Sequence, residues 1–243
     1  MANQDLLRSA SAAVAAADAL VIGAGAGMGV DSGLPDFRGA EGFWRAYPLY
    51  QKLGLDFASM ANPRWFESDP AFAWGFYGHR LDLYRRTAPH QGFAILRRWA
   101  ARMKYGAFVI TSNVDGQFQK AGFDDDRVVE IHGSIHLVQC ARCGQMLRPN
   151  ILMFGDGWWD STRSDAQEAR LGAWLTSLGD ARVVVVECGA GTAIPSVRIL
   201  CERLLRKKAA LVRINPREPE VPPGGIGVAM GALEALRGMD EDR

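Results

Sequence analysis

The sequence predicts an α/β fold in which a doubly wound parallel sheet carries a small inserted helical domain. Three short runs are apolar throughout and rich in β-branched residues, which predicts strands that are buried on both faces of a parallel sheet. Amphipathic helical stretches alternate with these runs, as the crossover connections of such a sheet require. A long segment rich in aromatic residues interrupts the alternation and predicts the inserted helices.

The predicted elements alternate along the chain from an N-terminal helix onwards. The first 20 residues are alanine-rich with internal charges, which predicts an amphipathic helix rather than a signal peptide. The predicted strands occupy residues 19–23, 107–114 and 182–188, with a weaker one at 209–215. The helix before the second strand places four apolar residues on one face, namely Phe93, Leu96, Trp99 and Met103.

These patterns divide the chain into a sheet domain and two inserts. The inserted helical segment covers residues 37–85, and a second, shorter insert covers residues 134–149. The sheet domain comprises the remaining residues, 1–36, 86–133 and 150–243.

The composition narrows the possible partners and the cellular location. The chain is 48% hydrophobic and 23% charged, with a formal net charge of +1, so no global field recruits nucleic acid or an anionic membrane. No apolar run reaches the length of a membrane span. Four cysteines are too few for a disulfide scaffold in a chain of 243 residues. We expect a cytoplasmic protein with neither a nucleic-acid nor a membrane partner.

A glycine-rich loop follows the first predicted strand, with four glycines within residues 23–29. A strand, a glycine loop and a helix start form a ready phosphate site, because the bare backbone can approach a ligand closely and the helix N-terminus offers free N–H groups. A simple tight turn is the alternative interpretation. The G-x-G-x-x-G fingerprint is absent, and no acidic strand end lies about 20 residues further on. A Gly-Lys-Ser/Thr sequence is also missing, so neither an ordinary dehydrogenase nor a P-loop is predicted.

The residues of this loop resemble the sirtuin signature G-A-G-x-S-x-x-S-G-I-P-D-F-R-G. Residues 25–27 and 32–39 carry the resemblance, and Gly29 replaces the first serine of the family. Sirtuins bind NAD on an open, Rossmann-like parallel sheet and consume it as a cosubstrate. The resemblance implies that part of the loop passes the pyrophosphate and that the rest closes over the nicotinamide ribose. The loop residues implied to bind NAD are Gly25, Ala26, Gly27, Asp36, Phe37 and Arg38.

Residues 111–118 resemble the family stretch T-Q-N-I-D-x-L-H. Asn113 and Asp115 match it, and Ser112 replaces the glutamine. These side chains follow a predicted strand, at the edge where open α/β sheets bind ligands. The resemblance implies that Asn113 positions water and ribose and that Asp115 holds the nicotinamide amide, with Ser112 also at the cofactor. An Asx turn that caps the next helix is the alternative interpretation.

His132 lies in E-I-H-G, which matches the E-x-H-G of the family's catalytic histidine. The resemblance implies that it acts as the general base on a ribose hydroxyl, for which an imidazole is suited by a pKa close to the working pH. Without the resemblance, a lone histidine after a short strand is more often structural. We expect the neighbouring His136 to be structural.

Later stretches continue the resemblance in the family order. R-P-N-I-L-M-F-G-D resembles R-P-x-V-V-x-F-G-E, which in sirtuins pairs with the substrate backbone by strand addition and lines the acyl-lysine tunnel. A core strand is the alternative interpretation. The substrate-binding residues implied here are Ile151, Leu152, Met153, Phe154 and Gly155. The further cofactor residues are Gly189, Ala190 and Gly191, assigned by position, and Asn215, which matches the adenosine-ribose asparagine.

Two features concern the acyl group and the metal. Tyr77 and Arg80 share a helix face and resemble the pair with which some sirtuins grip succinyl- or malonyl-lysine; a surface arginine beside a core tyrosine is the alternative. Most sirtuins hold zinc with two C-x-x-C pairs, but only Cys140 and Cys143 form such a pair here. We therefore expect a reduced, zinc-ribbon-like module without zinc, in which these two cysteines are at most remnant ligands.

The resemblance covers about residues 18–216 and implies an NAD-dependent protein-lysine deacylase. Its substrate would be an acyl-lysine protein or peptide, and its products free lysine, nicotinamide and O-acyl-ADP-ribose. One alternative is a sirtuin-type ADP-ribosyltransferase or NAD glycohydrolase. Another is an NAD-binding module without catalytic activity.

Overall fold

The chain folds around one parallel sheet of six strands in the order β3-β2-β1-β6-β7-β8, seen in a computed structural model that describes residues 3–36, 39–140, 147–207 and 209–241. A second sheet pairs β4 with β5 in antiparallel fashion. The strands of the large sheet are β1 (Ala19–Ala24), β2 (Ala107–Thr111), β3 (Val128–Glu130), β6 (Val183–Cys188), β7 (Ala210–Ile214) and β8 (Ile226–Val228). Those of the small sheet are β4 (Gly133–Cys140) and β5 (Leu147–Ile151).

Helices surround the large sheet and fill the segment between β1 and β2. The helices before β2 are α1 (Asn3–Ala15), α2 (Gly39–Ala46), α3 (Pro48–Lys52), α4 (Phe57–Met60), α5 (Arg64–Ser68), α6 (Pro70–Arg86) and α7 (Gln91–Arg102). The later helices are α8 (Gln117–Lys120), α9 (Thr162–Ser177), α10 (Ser196–Leu205) and α11 (Ala232–Glu241). Short 3-10 turns occupy Ala26–Ser32 and Asp125–Arg127.

All four predicted strands are confirmed, and their burial explains the apolar runs. Every residue of β1 is buried, because helices cover both faces of the sheet. The second strand ends at Thr111, three residues earlier than predicted, because the chain turns away from the sheet edge at this point. The predicted apolar face of α7 is confirmed for Phe93, Leu96 and Trp99, which are buried, whereas Met103 follows the helix as its C-cap and is only partly buried.

Two apolar cores lie on the two faces of the sheet. On one face, α1, α7 and α11 pack around Leu20, Ile22 and Trp99. On the other face, α9 and α10 pack around Val21, Phe108 and Val185. Strands therefore contribute alternate residues to each core, as the pleat of a strand requires.

The aromatic segment forms a third core together with the small sheet. Phe43, Phe76 and Tyr77 are buried there and pack against Ile135 and Ile151 of β4 and β5. The helices predicted in this segment are thus present as α2–α6. The division of the chain into domains at residues 37–85 and 134–149 stays a prediction.

Within the described parts of the chain, no helix is long and apolar enough to cross a membrane. A cytoplasmic location stays a prediction. Three residues singled out in the sequence, Phe37, Arg38 and Cys143, lie outside the described residues.

Candidate active site

A cleft of about 880 Å³ opens along the carboxyl ends of β1, β2, β6 and β7. This volume is within the range of about 300–1,000 Å³ that small-molecule and cofactor sites occupy. The chain runs from β1 to β2 and β3 in one direction and through β6, β7 and β8 in the other, so the strand order reverses between β1 and β6. Open α/β sheets bind ligands at this switch point.

Two glycine loops are in backbone contact at the switch point. The first comprises residues 23–29 at the end of β1, and the second comprises residues 189–191 after β6. The N–H of Gly27 donates to the carbonyl oxygen of Gly189 at 3.1 Å, and the N–H of Gly25 donates to that of Cys188 at 3.0 Å. A Cβ on Gly25 would lie 2.6 Å from the Cα of Ala190, closer than real Cβ contacts allow. The contact between the two loops is therefore enough to explain why residue 25 is a glycine. The first loop forms the 3-10 turn Ala26–Ser32.

Asn113 is fixed at the centre of the cleft by bonds to two neighbouring strands. Its backbone N–H donates to Oγ1 of Thr111 at 3.0 Å, and its Nδ2 donates to the carbonyl oxygen of Gly25 at 3.0 Å. Thr111 in turn donates to the carbonyl oxygen of Ala24 at 3.1 Å. The side chain of Asn113 is thus tied to the first glycine loop, and Ser112 lies beside it on the cleft wall.

Asp115 is a buried carboxyl group on the same wall. Burial raises its pKa to about 6, opposed by the hydrogen bond from the N–H of Gln117 and reinforced by nearby Glu130. The Gln117 bond, 2.9 Å long, is an Asx turn that begins α8. The alternative interpretation from the sequence, an Asx turn that caps the next helix, therefore holds for Asp115. Asp115 also lies on the cleft wall. His136 contacts the carbonyl oxygen of Asp115 through Nε2 at 2.9 Å.

The raised pKa predicts how stability depends on pH. Because the pKa is about 6 in the folded protein against an ordinary 3.8, the folded state holds this proton more tightly, and stability falls as pH rises through that window. Asn at this position carries no charge and still accepts the bond from Gln117. We expect Asp115→Asn to raise the free energy of unfolding at pH 8 by ~2–3 kcal/mol, and by much less towards pH 4.

Urea unfolding at pH 4, 6 and 8 measures this difference. The matched control is Asp124→Asn, which makes the same chemical change in an exposed Asx turn, where Asp124 accepts from the N–H of Asp126. A stability gain in Asp115→Asn that does not grow with pH would show that the buried charge is not its cause.

His132 lies on the cleft wall just after β3, on the far side of Asn113 from the glycine loops. Burial lowers its pKa, and a hydrogen bond with the Ser112 backbone partly offsets this effect. The imidazole is therefore neutral at neutral pH, the state in which it can accept a proton. The position of His132 depends on β3, which α9 holds through two hydrogen bonds to the backbone of Glu130. Ser164 Oγ donates to the Glu130 carbonyl oxygen, and the Glu130 N–H donates to Gln167 Oε1.

At one end of the cleft a buried arginine sits among aromatic rings. Arg80 is 5% exposed, and its Nε and Nη2 donate to Oη of Tyr84 at 3.2 and 2.8 Å. Its guanidinium carbon lies 5.3–5.7 Å from the ring centres of Phe57, Phe76, Tyr77 and Tyr84. The surface location that the sequence left open for Arg80 is wrong, because the helices of the aromatic segment enclose it.

Tyr77 adds an unpaired hydroxyl to the same end. Its ring is 1% exposed and burial raises its pKa to about 12, so the hydroxyl stays protonated. Among the described residues, Tyr77 Oη has no hydrogen-bond partner. A buried donor without a partner costs about 1–3 kcal/mol, so this part of the cleft is built to pair with a polar group.

The segment after β5 forms the wall between His132 and the aromatic end. The N–H of Leu152 donates to the carbonyl oxygen of His132 at 3.0 Å, and the N–H of Phe154 donates to the carbonyl oxygen of Ala61 at 2.8 Å. A buried bidentate ion pair between Arg148 and Asp156 closes the turn that follows. Ile151 and Met153 are buried, whereas Leu152 and Phe154 are 39% and 40% exposed, so the wall is apolar on the side open to solvent.

Most of the residues predicted for the site line this one cleft. Gly27 and Asn215 do not line it and instead support it, since Asn215 is fully buried and donates to the carbonyl oxygen of Ala190 at 2.9 Å. The predicted residues on its wall are Gly25, Ala26, Asp36, Tyr77, Arg80, Ser112, Asn113, Asp115, His132, Ile151, Leu152, Met153, Phe154, Gly155, Gly189, Ala190 and Gly191.

Sequence reasoning missed several residues of the wall. Tyr84 follows Arg80 at the helical spacing of four, a signal that could have found it. Asp156 lies at the end of the predicted substrate segment, and only the fold reveals its pairing with Arg148. The other polar residues missed are Thr192, Arg217 and Glu218. The wall also includes apolar residues that were not predicted, namely Leu34, Pro35, Phe57, Ala61, Val114, Ala193 and Ile194.

The cysteines give no metal centre among the residues that the structure describes. No group of three or more His, Cys, Asp or Glu side chains there is arranged to hold a metal ion. Cys188 and Cys201 are buried in β6 and α10, and Cys140 is exposed at the end of β4. Since Cys143 lies outside the described residues, the absence of zinc stays a prediction for metal analysis of the purified protein.

The fold and the cleft define a class of protein. A parallel sheet with glycine loops at its switch point and a cofactor-sized cleft above them is typical of nucleotide-binding α/β proteins. The amide and imidazole groups beside those loops are typical of enzymes rather than carriers, because they stand ready to position water and to take a proton.

The chain belongs to the Sir2 family. The sequence model of that family matches residues 25–152. NAD-dependent protein deacylase 2 of Pyrobaculum aerophilum is 31% identical over 226 residues, which cover 84% of this chain and 82% of the relative. NAD-dependent protein deacylase 1 of Caldanaerobacter subterraneus is 26% identical over 243 aligned positions, which cover 91% and 92%.

Solved structures of Sir2 homologues share the fold. A Sir2 homologue in complex with 2′-O-acetyl ADP ribose superposes with a TM-score of 0.69 at 25% identity, covering 98% of this chain and 94% of that one. A complex of a Sir2 homologue with NAD superposes with the same TM-score of 0.69 at 23% identity, covering 95% and 91%. The predicted α/β class and parallel sheet are therefore confirmed.

Proposed function

We infer that this chain is an NAD-dependent protein deacylase that acts on acyl-lysine side chains of proteins. The observation that carries the inference is the convergence of His132, Asn113 and the two glycine loops on one cleft. Family membership and the relatives named as NAD-dependent protein deacylases support it. The neutral imidazole is the form that this chemistry needs.

The cleft fits NAD in its volume and in the chemistry of its walls. A bare backbone at the switch point suits the pyrophosphate, and the buried carboxyl of Asp115 suits a carboxamide, to which it can donate when protonated and from which it can accept when charged. NAD, when bound, would supply the ADP-ribosyl group that accepts the acyl group. The bond from ribose to nicotinamide and the amide bond of the acyl-lysine would break, one water would be consumed, and nicotinamide, free lysine and O-acyl-ADP-ribose would leave.

Each residue then has a distinct task. His132 accepts a proton from a ribose hydroxyl as general base, for which its lowered pKa keeps it neutral. Asn113 orients the ribose and a water molecule, and its tie to the carbonyl oxygen of Gly25 holds that amide in one orientation. Asp36 lies on the cleft wall and covers the ribose.

The substrate polypeptide lies along the segment after β5. Residues 151–153 continue from β5 up to a turn at residues 154 and 155, and residues 151–155 line an apolar wall. An unhelical backbone beside an apolar wall suits main-chain pairing that tolerates many sequences. The exposed side chains of Leu152 and Phe154 flank the entrance, so the acyl-lysine side chain passes between them towards His132.

The aromatic end of the cleft favours an acyl group that ends in a carboxylate. Arg80 supplies a buried positive charge and Tyr77 a buried hydroxyl without a partner among the described residues. A succinyl or malonyl group would pair with both, and charge-assisted bonds of this kind are about twice as strong as neutral ones. An acetyl group would leave both without a new partner.

Arg80→Met tests this preference. We expect kcat/KM for a succinyl-lysine peptide to fall roughly 30-fold or more, because truncating one partner of a buried charge pair costs about 2–5 kcal/mol. Turnover of the acetyl-lysine peptide should change only a few-fold. The matched control is Arg86→Met, which removes an exposed arginine from the same helix. Equal losses on both peptides in Arg80→Met would refute the carboxylate role.

Product analysis tests the function itself. Mass spectrometry of the products from NAD and a panel of acyl-lysine peptides should find O-acyl-ADP-ribose only when an acyl peptide is present. ADP-ribose formed without peptide would instead identify an NAD glycohydrolase, and ADP-ribosylated protein would identify a transferase. Binding of NAD without release of nicotinamide on any peptide would identify a non-catalytic module.

A further inference from the structure

A histidine begins α7 behind the first glycine loop. His90 is the N-cap of that helix, and its Nδ1 accepts from the backbone N–H of Gly92 at 3.0 Å. Gly92 is buried, so the ring supplies the partner that an N–H group in the first turn of a helix needs. Helix caps are usually serine, threonine, aspartate or asparagine, none of which changes charge near neutral pH. The cap of α7 therefore differs from these in that it can titrate there.

The same residue also contacts the first glycine loop and the turn that continues it. Nε2 of His90 lies 2.9 Å from the carbonyl oxygen of Met28, and the backbone N–H of His90 donates to Oγ of Ser32 at 2.9 Å. Met28 and Ser32 belong to the 3-10 turn Ala26–Ser32, whose first residue lies on the cleft wall. His90 thus holds the far end of a turn that starts at the cleft.

The two ring contacts assign the proton of the imidazole. A carbonyl oxygen only accepts, so Nε2 carries the proton that is donated to Met28, and a backbone N–H only donates, so Nδ1 is unprotonated. One tautomer of the neutral ring satisfies both contacts. A protonated ring would present a second donor to the N–H of Gly92. Because the ring is rigid, turning Nδ1 away from Gly92 also moves Nε2 away from Met28.

The charges around His90 set the pH range in which this happens. Burial lowers the pKa of His90, the bond with Met28 and the carboxylate of Asp31 oppose this effect, and Arg237 reinforces it. Asp31 belongs to the 3-10 turn, and Arg237 belongs to α11 and donates to Oε1 of Gln91 at 2.8 Å. Since the pKa in the folded protein lies below the ordinary 6.5, both ring contacts are intact above that pH and are lost as pH falls through the lowered pKa.

We propose that His90 is a positioning residue that holds the first glycine loop in the shape that binds the dinucleotide, and that it releases the loop when it takes up a proton. The proposal rests on the proposed function for its ligand, because it takes the ADP-ribosyl part of NAD as the group that the loop receives. His90 acts through the backbone of Met28 and touches no substrate. The affinity for ADP-ribose therefore depends on a proton bound behind the cleft wall.

The test measures the affinity for ADP-ribose by calorimetry for the wild type and for His90→Asn between pH 8 and pH 4.5. Asparagine is among the best helix caps and does not titrate, but its side chain is too short to cap α7 and reach Met28 as well. We expect His90→Asn to bind roughly fivefold more weakly than the wild type at pH 8, the factor for one hydrogen bond of ordinary strength. The ratio should fall towards one as pH falls, because the wild type then loses the same contact. Asp115 and His132 titrate in both proteins, so their effects cancel in this ratio.

His79→Asn is the matched control, because it makes the same chemical change in an exposed histidine of α6 that does not line the cleft. Its affinity should equal that of the wild type at every pH. Nitrogen NMR of the His90 ring provides a measurement that needs no ligand, and at pH 8 it should find the proton on Nε2.

Equal affinities of the wild type and His90→Asn at pH 8 would overturn the proposal, because a residue that only caps α7 is replaced by asparagine without loss. A ratio that stays constant across the pH range, or a ring proton on Nδ1 at pH 8, would overturn it too. If the wild type binds ADP-ribose but never forms O-acyl-ADP-ribose, the proposed function fails, whereas the ratio still decides on His90. If the wild type does not bind ADP-ribose, both proposals fail.

Discussion

His132→Ala is expected to lower kcat by about 10²–10⁴-fold on every acyl-lysine peptide, while NAD binding and the fold persist. The size of the loss is that of a positioned general base. Because the ring is only half-buried and the backbone of residue 132 makes the bond to Leu152, removing the imidazole leaves the wall intact. Steady-state rates on acetyl and succinyl peptides measure the loss, and calorimetry with ADP-ribose measures retained binding.

His79→Ala is the control for this variant, since it removes an exposed histidine of α6 that does not line the cleft. It should turn over peptides at close to the wild-type rate. If His132→Ala kept more than about a tenth of the wild-type kcat, the general base would have to be another group, since a base contributes at least 10²-fold.

Gly189→Ala is expected to cost about 3 kcal/mol or more in the free energy of unfolding. The residue has a φ of +63°, which costs an L-residue about 1–2 kcal/mol. A Cβ would also lie 2.4 Å from the Cα and carbonyl carbon of Gly27, and overpacking of this kind costs a further 1–3 kcal/mol. Because the two glycine loops must separate to admit the methyl group, the affinity for ADP-ribose should fall as well.

Gly54→Ala separates the two costs. Gly54 has nearly the same φ, +67°, but nothing lies within 4 Å of a Cβ at that position. Urea unfolding should show only the conformational cost in this control. Equal losses in the two variants would mean that the contact between the loops relaxes without cost.

The sheet could be predicted from the sequence because its signal is local. Each strand of the centre is a continuous apolar run, and each crossover helix has a clear apolar face, as in α7. The small sheet could not be predicted in this way, because β4 mixes buried Ile135 with exposed Leu137 and Val138 and its register shifts along its length. Its pairing with β5 is apparent only in the folded chain.

The site was partly predictable for a similar reason. Gly25, Asn113 and His132 lie in short motifs, and the topology brings the ends of β1, β2 and β3 together. The reason for the bare backbone was not predictable, because the contact with Gly189 joins residues far apart in sequence. The place of Glu218 on the cleft wall had no signal in the sequence, because the loop after β7 is held there by the buried Arg198, which donates to the Glu218 carbonyl oxygen.

The anchoring of that loop has an evolutionary consequence. Arg198 and Arg213 grip main-chain carbonyl groups, which every amino acid possesses, so the loop keeps its path whatever side chains residues 217, 218 and 220 carry. Substitution of these side chains should therefore leave the path of the loop unchanged. We expect divergent relatives and laboratory libraries alike to show wide variation at the exposed residues 217 and 220.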